Sequence, residues 1–331
     1  MVIYLFSNLK ISTTFYWLMF VVIILLAPII LGSYLRHNMI MFLFYICYVT
    51  SYSILVGHAG LFSLGQQLFI GLGAYAVAFL TTQYAHITNI FITIPFSAIF
   101  GCIFAYASSF LLLKLPSRPF SMVTLALNFF LRQFWNLDPF HFTGGALGIK
   151  PIYRPTIEIP GVLYYEIGPL GLYFFAAIMA FGFLFFYYLL TTSRFGIAIR
   201  SIKENEILAE NMGINIMWYK RWTWVLCGTL AAIAGNFYGY YLGVITPYVF
   251  MWYRNTYLLT MSYIGGVSII EGTIIGPFFY IVLAEFLRVS EELRIVIFAF
   301  ILLVMILFMP EGIGGKIKQI YNTYKGEHRK L

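Results

Sequence analysis

Apolar stretches of about twenty residues follow one another along the sequence, separated by short polar connections. Each stretch is long enough to cross about 30 Å of hydrocarbon as a helix. The pattern therefore predicts an all-α polytopic membrane protein with about ten transmembrane helices. The predicted spans are residues 14–34, 39–57, 61–82, 89–113, 119–137, 168–190, 222–244, 256–270, 273–288 and 293–309.

Composition agrees with a membrane protein. Hydrophobic residues make up 61% of the chain and charged residues 10%, whereas about 25% of the residues of a soluble domain are charged. No hydrophilic interval is long enough for a second core, so residues 1–331 are expected to form one domain. Cys47, Cys102 and Cys227 lie far apart in apolar segments. They have neither metal-ligand nor disulfide spacing, and we expect no metal or cofactor.

The distribution of basic residues predicts the topology. The net charge is +8, and the basic residues cluster in short connections and the tail, where the positive-inside rule places them in the cytoplasm. Membrane lipid is therefore the expected partner, and nucleic acid is not. Starting with Lys10 inside, ten crossings put Lys114, the loop 191–221 and the tail 310–331 on the cytoplasmic side. Both termini are then cytoplasmic, and the loop 138–167 is external.

The loop 191–221 is the one long charge-rich interval between apolar segments. Ser193 can cap a helix that starts there, no proline interrupts the residues after it, and Gly213 supplies a stop. The sequence thus predicts one short helix. On this helix Glu206, Ala209 and Gly213 share one face. Ala209 and Gly213 present almost no side chain, so this face can lie very close to another protein.

The pattern S-R-F-G-x-A-I-R-S-I-K-E-N-E-I-L-A-E-x-x-G-I-N in this loop resembles permease subunits of branched-chain amino-acid ABC importers. In that family the loop helix lies in a groove of the ATPase subunit and transmits its motion. The alternative is an ordinary solvated connection between two helices. The resemblance implies a coupling role for five residues: Arg200, Glu204, Glu206, Ala209 and Gly213.

The segment G-H-A-G-x-x-S-L-G-Q, followed by G-x-G-A-Y, resembles the same family. There it belongs to the central helices beside the translocation path, which implies path roles for Ser63, Gln66 and Gln67. The alternative is that these polar groups hydrogen-bond between packed helices. Small residues permit close packing and broken helices, and the sequence assigns this role to nine glycines: Gly57, Gly60, Gly65, Gly71, Gly73, Gly265, Gly266, Gly272 and Gly276.

A third match is F-S-M-V-T-L-A-L-N followed by T-G-G-A-L-G-I, which resembles the M-type subunit of the family. Ser121, Thr124 and Asn128 recur at three- and four-residue steps, so one stripe of an apolar helix is polar and must face protein or water. We expect these three to line or border the path. The family often carries glutamine or glutamate where this chain has Phe129. The T-G-G-A-L-G turn is suited either to docking of a binding protein or simply to loop geometry.

Acids near the last spans have ordinary explanations. Glu271 is expected to be a solvated acid near the cytoplasmic end of its span. Glu285 and Arg288 lie one turn apart, and a local ion pair explains them better than a proton relay.

The sequence has no G-x-x-x-x-G-K-[ST] phosphate loop, so ATP must be hydrolysed by another subunit. It also has no convincing nucleophile, base and orienter, so we do not expect an enzyme. The resemblance implies an M-type permease in the bacterial cytoplasmic membrane that imports branched-chain amino acids. Its implied partners are a second permease in a heterodimer, ATPase subunits and an external binding protein. Alternatives are a permease for urea or short amides and an ATP-independent secondary transporter or channel.

Overall fold

The computed structural model describes residues 24, 28, 32–84, 86–139, 143–159, 163–286, 291–309 and 312–316. Almost all regular structure in these ranges is helical, which confirms the predicted all-α class, and several of the helices are apolar, as expected of a polytopic membrane protein. By length and composition, Ser33–His58, Ile90–Leu112 and Pro169–Thr192 can cross a membrane. Shorter apolar helices are Gln67–Thr82, Gly272–Phe286 and Ile295–Met305. Lys10, most of the predicted span 14–34, Arg288 and the tail after residue 316 lie outside the described residues.

Most of the described helices overlap a predicted span, and two lie in the loop 191–221. They are α1 (Ser33–Tyr52), α2 (Gln67–Ala78), α3 (Ile90–Leu112), α4 (Ser117–Leu137), α5 (Pro169–Thr192), α6 (Arg194–Glu204), α7 (Glu206–Asn211), α8 (Ile216–Leu242), α9 (Trp252–Gly265), α10 (Gly272–Phe286) and α11 (Glu291–Phe308). Helix α8 begins six residues before the predicted span because Asn215 caps it by accepting a hydrogen bond from the backbone N–H of Trp218 at 3.0 Å.

Two predicted spans are broken. Instead of one helix over 61–82, residues 61–66 are non-helical and α2 starts at Gln67, after a π-helical segment Ser53–His58 that continues α1. Instead of one helix over 256–270, α9 ends at Gly265. Gly60 and Gly266 have φ of +68° and +106° in the two breaks, values that glycine adopts without steric cost. The prediction of glycine-rich broken helices therefore holds, whereas continuous spans were wrong at these two places.

Helix α2 is the centre of the bundle, and every one of its residues is buried. It packs against α8 at small residues: a Cβ at Gly73 would lie 1.9 Å from the carbonyl oxygen of Ala232, and one at Gly235 would lie 2.1 Å from that of Ile70. The ring of Trp224 packs edge-on between two phenylalanine rings beside this contact. Backbones this close are typical of membrane helix pairs.

The loop predicted to be external is folded back on the bundle. A hairpin of β1 (Thr156–Ile159) and β2 (Leu163–Glu166) pairs Thr156 with Glu166. The T-G-G-A-L-G turn precedes it, and Gly144, Gly145 and Gly148 all have positive φ. The turn is thus built by backbone geometry that glycine permits.

Candidate functional site

The non-helical segment 61–66 lies against the polar stripe of α4. The backbone N–H of Leu64 donates to Oγ1 of Thr124 at 3.1 Å, and Oγ of Ser121 donates to the carbonyl of Phe62 at 2.6 Å. A Cβ at Gly65 would lie 2.3 Å from the carbonyl oxygen of Thr124. Two side chains of the stripe therefore bind backbone groups that the broken helix leaves without helical partners.

Asn128, the third residue of the polar stripe, contacts the short 3-10 helix Pro247–Phe250 that precedes α9. Asn128 is fully buried, and its Nδ2 donates to the carbonyl of Phe250 at 2.8 Å. From α2, Nε2 of Gln67 donates to the carbonyl of Val249 at 2.6 Å. The backbone N–H of Gln67 donates to Oδ1 of Asn255 at 3.1 Å. Helices α2, α4 and α9 are thus joined through one short connection.

Ser63 and Gln66 are also buried. The hydroxyl of Ser63 accepts a hydrogen bond from the N–H of Gly65 at 3.1 Å. Nε2 of Gln66 donates to the carbonyl of Cys227 at 3.2 Å, while its Oε1 has no hydrogen-bond partner. All six predicted path residues therefore lie at the break 61–66 or at the connection before α9, each with a hydrogen bond inside the chain. Their role in a path stays a prediction.

Seven of the nine predicted packing glycines lie at close backbone or ring contacts, the exceptions being Gly60 and Gly266. A Cβ at Gly57 would lie 2.1 Å from the carbonyl oxygen of Val267, and one at Gly71 would lie 2.1 Å from the ring of Phe250. At Gly276 the distance to the carbonyl oxygen of Met261 would be 1.9 Å. The same crowding surrounds Gly265 and Gly272. Glycine is the residue that admits these contacts.

The loop 191–221 contains two helices instead of the single predicted one. Ser193 caps α6 as predicted, accepting a hydrogen bond from the N–H of Gly196 at 3.2 Å. The helix then breaks at Asn205, which is extended at φ −157° and caps α7 through the N–H of Leu208 at 3.0 Å. Gly213, with φ +81°, follows the end of α7 as predicted. The strong capping preference of asparagine explains the additional break.

The surface of α7 differs from the sequence interpretation. Ala209 is 4% exposed because it turns toward the chain itself. The apolar side chains that α7 and its end present outward are Ile207, Leu208 and Met212, exposed by 73%, 61% and 78%. Gly213 has open space around it. A protein that docks on this loop would therefore meet these three side chains before it met Ala209.

The charged residues of α7 are arranged along a groove. Nζ of Lys220 and Oε1 of Glu206 form a salt bridge at 2.6 Å. Glu206, Glu210 and Gly213 line a groove of about 790 Å³ between α7 and the connection from α3 to α4, with Lys114 on its other side. Glu206 is thus held within the loop by Lys220, whose side chain is 16% exposed while that of Glu206 is 55% exposed.

Lys203, in the last turn of α6, contacts residues beside both helix breaks, Gly57 and Ser268. Its Nζ donates to the carbonyl of Gly57 at 2.6 Å and lies 3.4 Å from Oγ of Ser268. The hydroxyl of Ser268 donates to the same carbonyl at 3.0 Å. Burial lowers the pKa of the Lys203 ammonium, which lines a cavity of about 600 Å³ beside these groups. The sequence indicated Lys203 only as one of the basic residues of a cytoplasmic loop; its partners Gly57 and Ser268 lie far away along the chain, so no local pattern predicts these contacts.

A family described as the branched-chain amino acid transport system permease component matches residues 34–309. That range covers most of the chain and includes the helix breaks, the polar stripe and the loop with α6 and α7. The chain belongs to this family. The resemblance inferred from the sequence motifs is therefore confirmed.

Two relatives named "High-affinity branched-chain amino acid transport system permease protein LivM" match over long ranges. The protein from Salmonella typhimurium is 23% identical over 292 residues, covering 82% of this chain and 68% of the relative. The protein from Escherichia coli K12 is 22% identical over 282 residues, covering 79% and 65%. The chain thus spans about two thirds of the length of these relatives.

The LivH permease protein of Escherichia coli K12 is 34% identical over a shorter range of 128 residues, covering 38% of this chain and 41% of LivH. No solved structure matches the chain significantly.

Proposed function

We propose that the chain is the M-type permease subunit of an ABC importer that moves branched-chain, hydrophobic amino acids inward. ATP is hydrolysed by separate cytoplasmic ATPase subunits, and this chain supplies no ATPase site. The LivM-named relatives, matched over a longer range than LivH, support the M-type assignment. A LivH-like second permease completes a heterodimer, and an external binding protein delivers the substrate.

The observation that carries the proposal is the construction of the loop with α6 and α7. Its outer surface exposes Ile207, Leu208 and Met212, and clustered apolar side chains of this kind are suited to a protein interface. Its inner side binds the carbonyl of Gly57 through Lys203. One short element therefore contacts a docked ATPase on one side and a helix break on the other.

The proposed topology follows from the positions of the basic residues. Residues 1–331 form a single permease domain in the bacterial cytoplasmic membrane, with both termini, the loop 191–221 and the tail 310–331 in the cytoplasm. The loop 138–167 is external and is the proposed surface for the binding protein.

Uptake of labelled substrates by proteoliposomes tests the substrate. The vesicles contain this chain, the second permease, the ATPase and the binding protein. We expect accumulation of leucine, isoleucine and valine, and none of urea. Accumulation of urea alone would establish the urea or amide permease instead, and gradient-driven uptake by this chain alone would establish a secondary transporter or channel.

A further inference from the structure

A cavity of about 240 Å³ lies among α1, α2, α8, α9 and α10, separate from the stripe of α4. Six tyrosines, one phenylalanine and two methionines form most of its wall, together with Gln67 and Arg254. At about 30 Å³ per water, the cavity has the volume of about eight waters. It therefore has room for a small organic molecule.

Arg254 is the unusual member of the wall. Its Nη1 donates to the hydroxyl of Tyr238 at 2.6 Å, and its Nε is buried without a hydrogen-bond partner. No acidic residue of the described chain lines the cavity, and the salt bridges found among the described residues join other side chains. A guanidinium inside a helical membrane bundle is costly unless an anion or a polar network compensates it.

We propose that this cavity binds an amino acid with an apolar side chain and that Arg254 receives its carboxylate. The planar guanidinium can form two parallel hydrogen bonds with a carboxylate, reinforced by the opposite charges. A neutral amide or urea cannot form this ion pair. The inference rests on the proposed function and names a contact that selects its substrate class.

The remaining wall suits the other parts of such a ligand. The faces of tyrosine rings attract an ammonium group, and Tyr257 and Tyr280 pack with ring centroids 5.5 Å apart. Met41, Phe44 and Met261 provide an apolar surface for a branched side chain. Both amide atoms of Gln67 are occupied: Oε1 accepts from Tyr48 at 2.6 Å, and Nε2 donates to a backbone carbonyl.

The cavity is connected to the helix break. Asn255, the residue after Arg254, accepts the hydrogen bond from the backbone N–H of Gln67 at 3.1 Å. Gln67 is the first residue of α2, immediately after the segment 61–66. A ligand held by Arg254 would therefore act on the start of α9, which is bonded to the start of α2.

Direct binding of labelled leucine to the purified full chain in nanodiscs tests the proposal. We expect saturable binding that unlabelled leucine competes away. Leucinamide, which lacks the carboxylate, should compete with an affinity lower than that of leucine by on the order of 30-fold or more. Arg254→Gln should lower leucine affinity by the same order, and Arg254→Lys should restore part of it. Arg118→Gln is the matched control, because Arg118 is exposed in the first turn of α4 and does not line the cavity. It should keep the wild-type affinity.

The comparison of leucine with leucinamide uses the wild-type chain, so it holds even if a variant does not fold. Equal competition by the two ligands, no saturable leucine binding, or unchanged affinity in folded Arg254→Gln would overturn the proposal. Failure of the proposed function is a different result, namely wild-type vesicles that accumulate urea and not leucine. Vesicles that accumulate leucine equally well with Arg254→Gln would reject the cavity and retain the function.

Discussion

Replacing Lys203 with methionine removes the ammonium between α6 and the helix breaks while keeping most of the side-chain length. A hydrogen bond to a charged group contributes about 1.5–3 kcal/mol, and partial exposure of Lys203 reduces this to about 1 kcal/mol. The carbonyl of Gly57 keeps its hydrogen bond from Ser268 at 3.0 Å. The fold should therefore survive. We expect uptake to fall about fivefold, because the loss of the hydrogen bond from Lys203 to the carbonyl of Gly57 removes about 1 kcal/mol of interaction between the loop and the helix break.

The assay is initial leucine uptake in proteoliposomes, with complex assembly measured in parallel. Lys220→Met is the matched control, since it removes the same charge from the same loop but breaks a contact with Glu206 and not with a helix break. Lys203 and Ser268 donate to the same carbonyl, that of Gly57. The double variant with Ser268→Ala and Lys203→Met should therefore lose more uptake than the two single variants predict together. Normal uptake with Lys203→Met, or equal losses with Lys220→Met, would refute this reasoning.

Three further substitutions have definite expected outcomes. Leu208→Asp changes an exposed side chain, so the chain should keep its stability while ATPase recovered by co-purification falls at least about tenfold; normal recovery would make α7 a solvated connector. Asn128→Leu leaves the buried carbonyl of Phe250 without its side-chain donor and should cost about 1–3 kcal/mol, measured as a lower melting temperature, together with reduced uptake; an unchanged melting temperature and uptake would contradict both roles. Gly73→Ala places a Cβ 1.9 Å from a backbone carbonyl oxygen of α8 and should lower the stability of the fold by about 3 kcal/mol or more, measured as loss of folded protein. In the control Gly182→Ala, the new Cβ meets nothing within 4 Å, so stability should be nearly unchanged. Equal yields of folded protein for the two variants would reject the packing role of Gly73.

The parts that were predictable from the sequence depend on local chemistry. Apolar length placed most helices within about six residues, and capping chemistry located Ser193 before the first helix and Gly213 after the second helix of the loop 191–221. The polar stripe of α4 was visible as a three- and four-residue repeat. The breaks were indicated by clustered glycines, but their limits were not, because the groups that stabilise them belong to other helices.

The contacts that could not be predicted join residues distant in the chain. Lys203 binds a carbonyl 146 positions away, and no local pattern distinguishes it from the other basic residues of its loop. Ala209 was expected on an outer face, but packing inside the chain turns it inward. Arg254 lines one cavity together with residues from four other helices. Its surroundings exist only once the bundle has formed.

ATP-driven accumulation of leucine tests the central claim most directly. Proteoliposomes with this chain, its second permease, the ATPase and the binding protein should concentrate labelled leucine above its external concentration when ATP is supplied on the cytoplasmic side. Removing ATP or the ATPase should abolish accumulation. Leucine uptake that proceeds equally without ATP and without the ATPase, or a complete complex that hydrolyses ATP but accumulates no branched-chain amino acid, would contradict the claim.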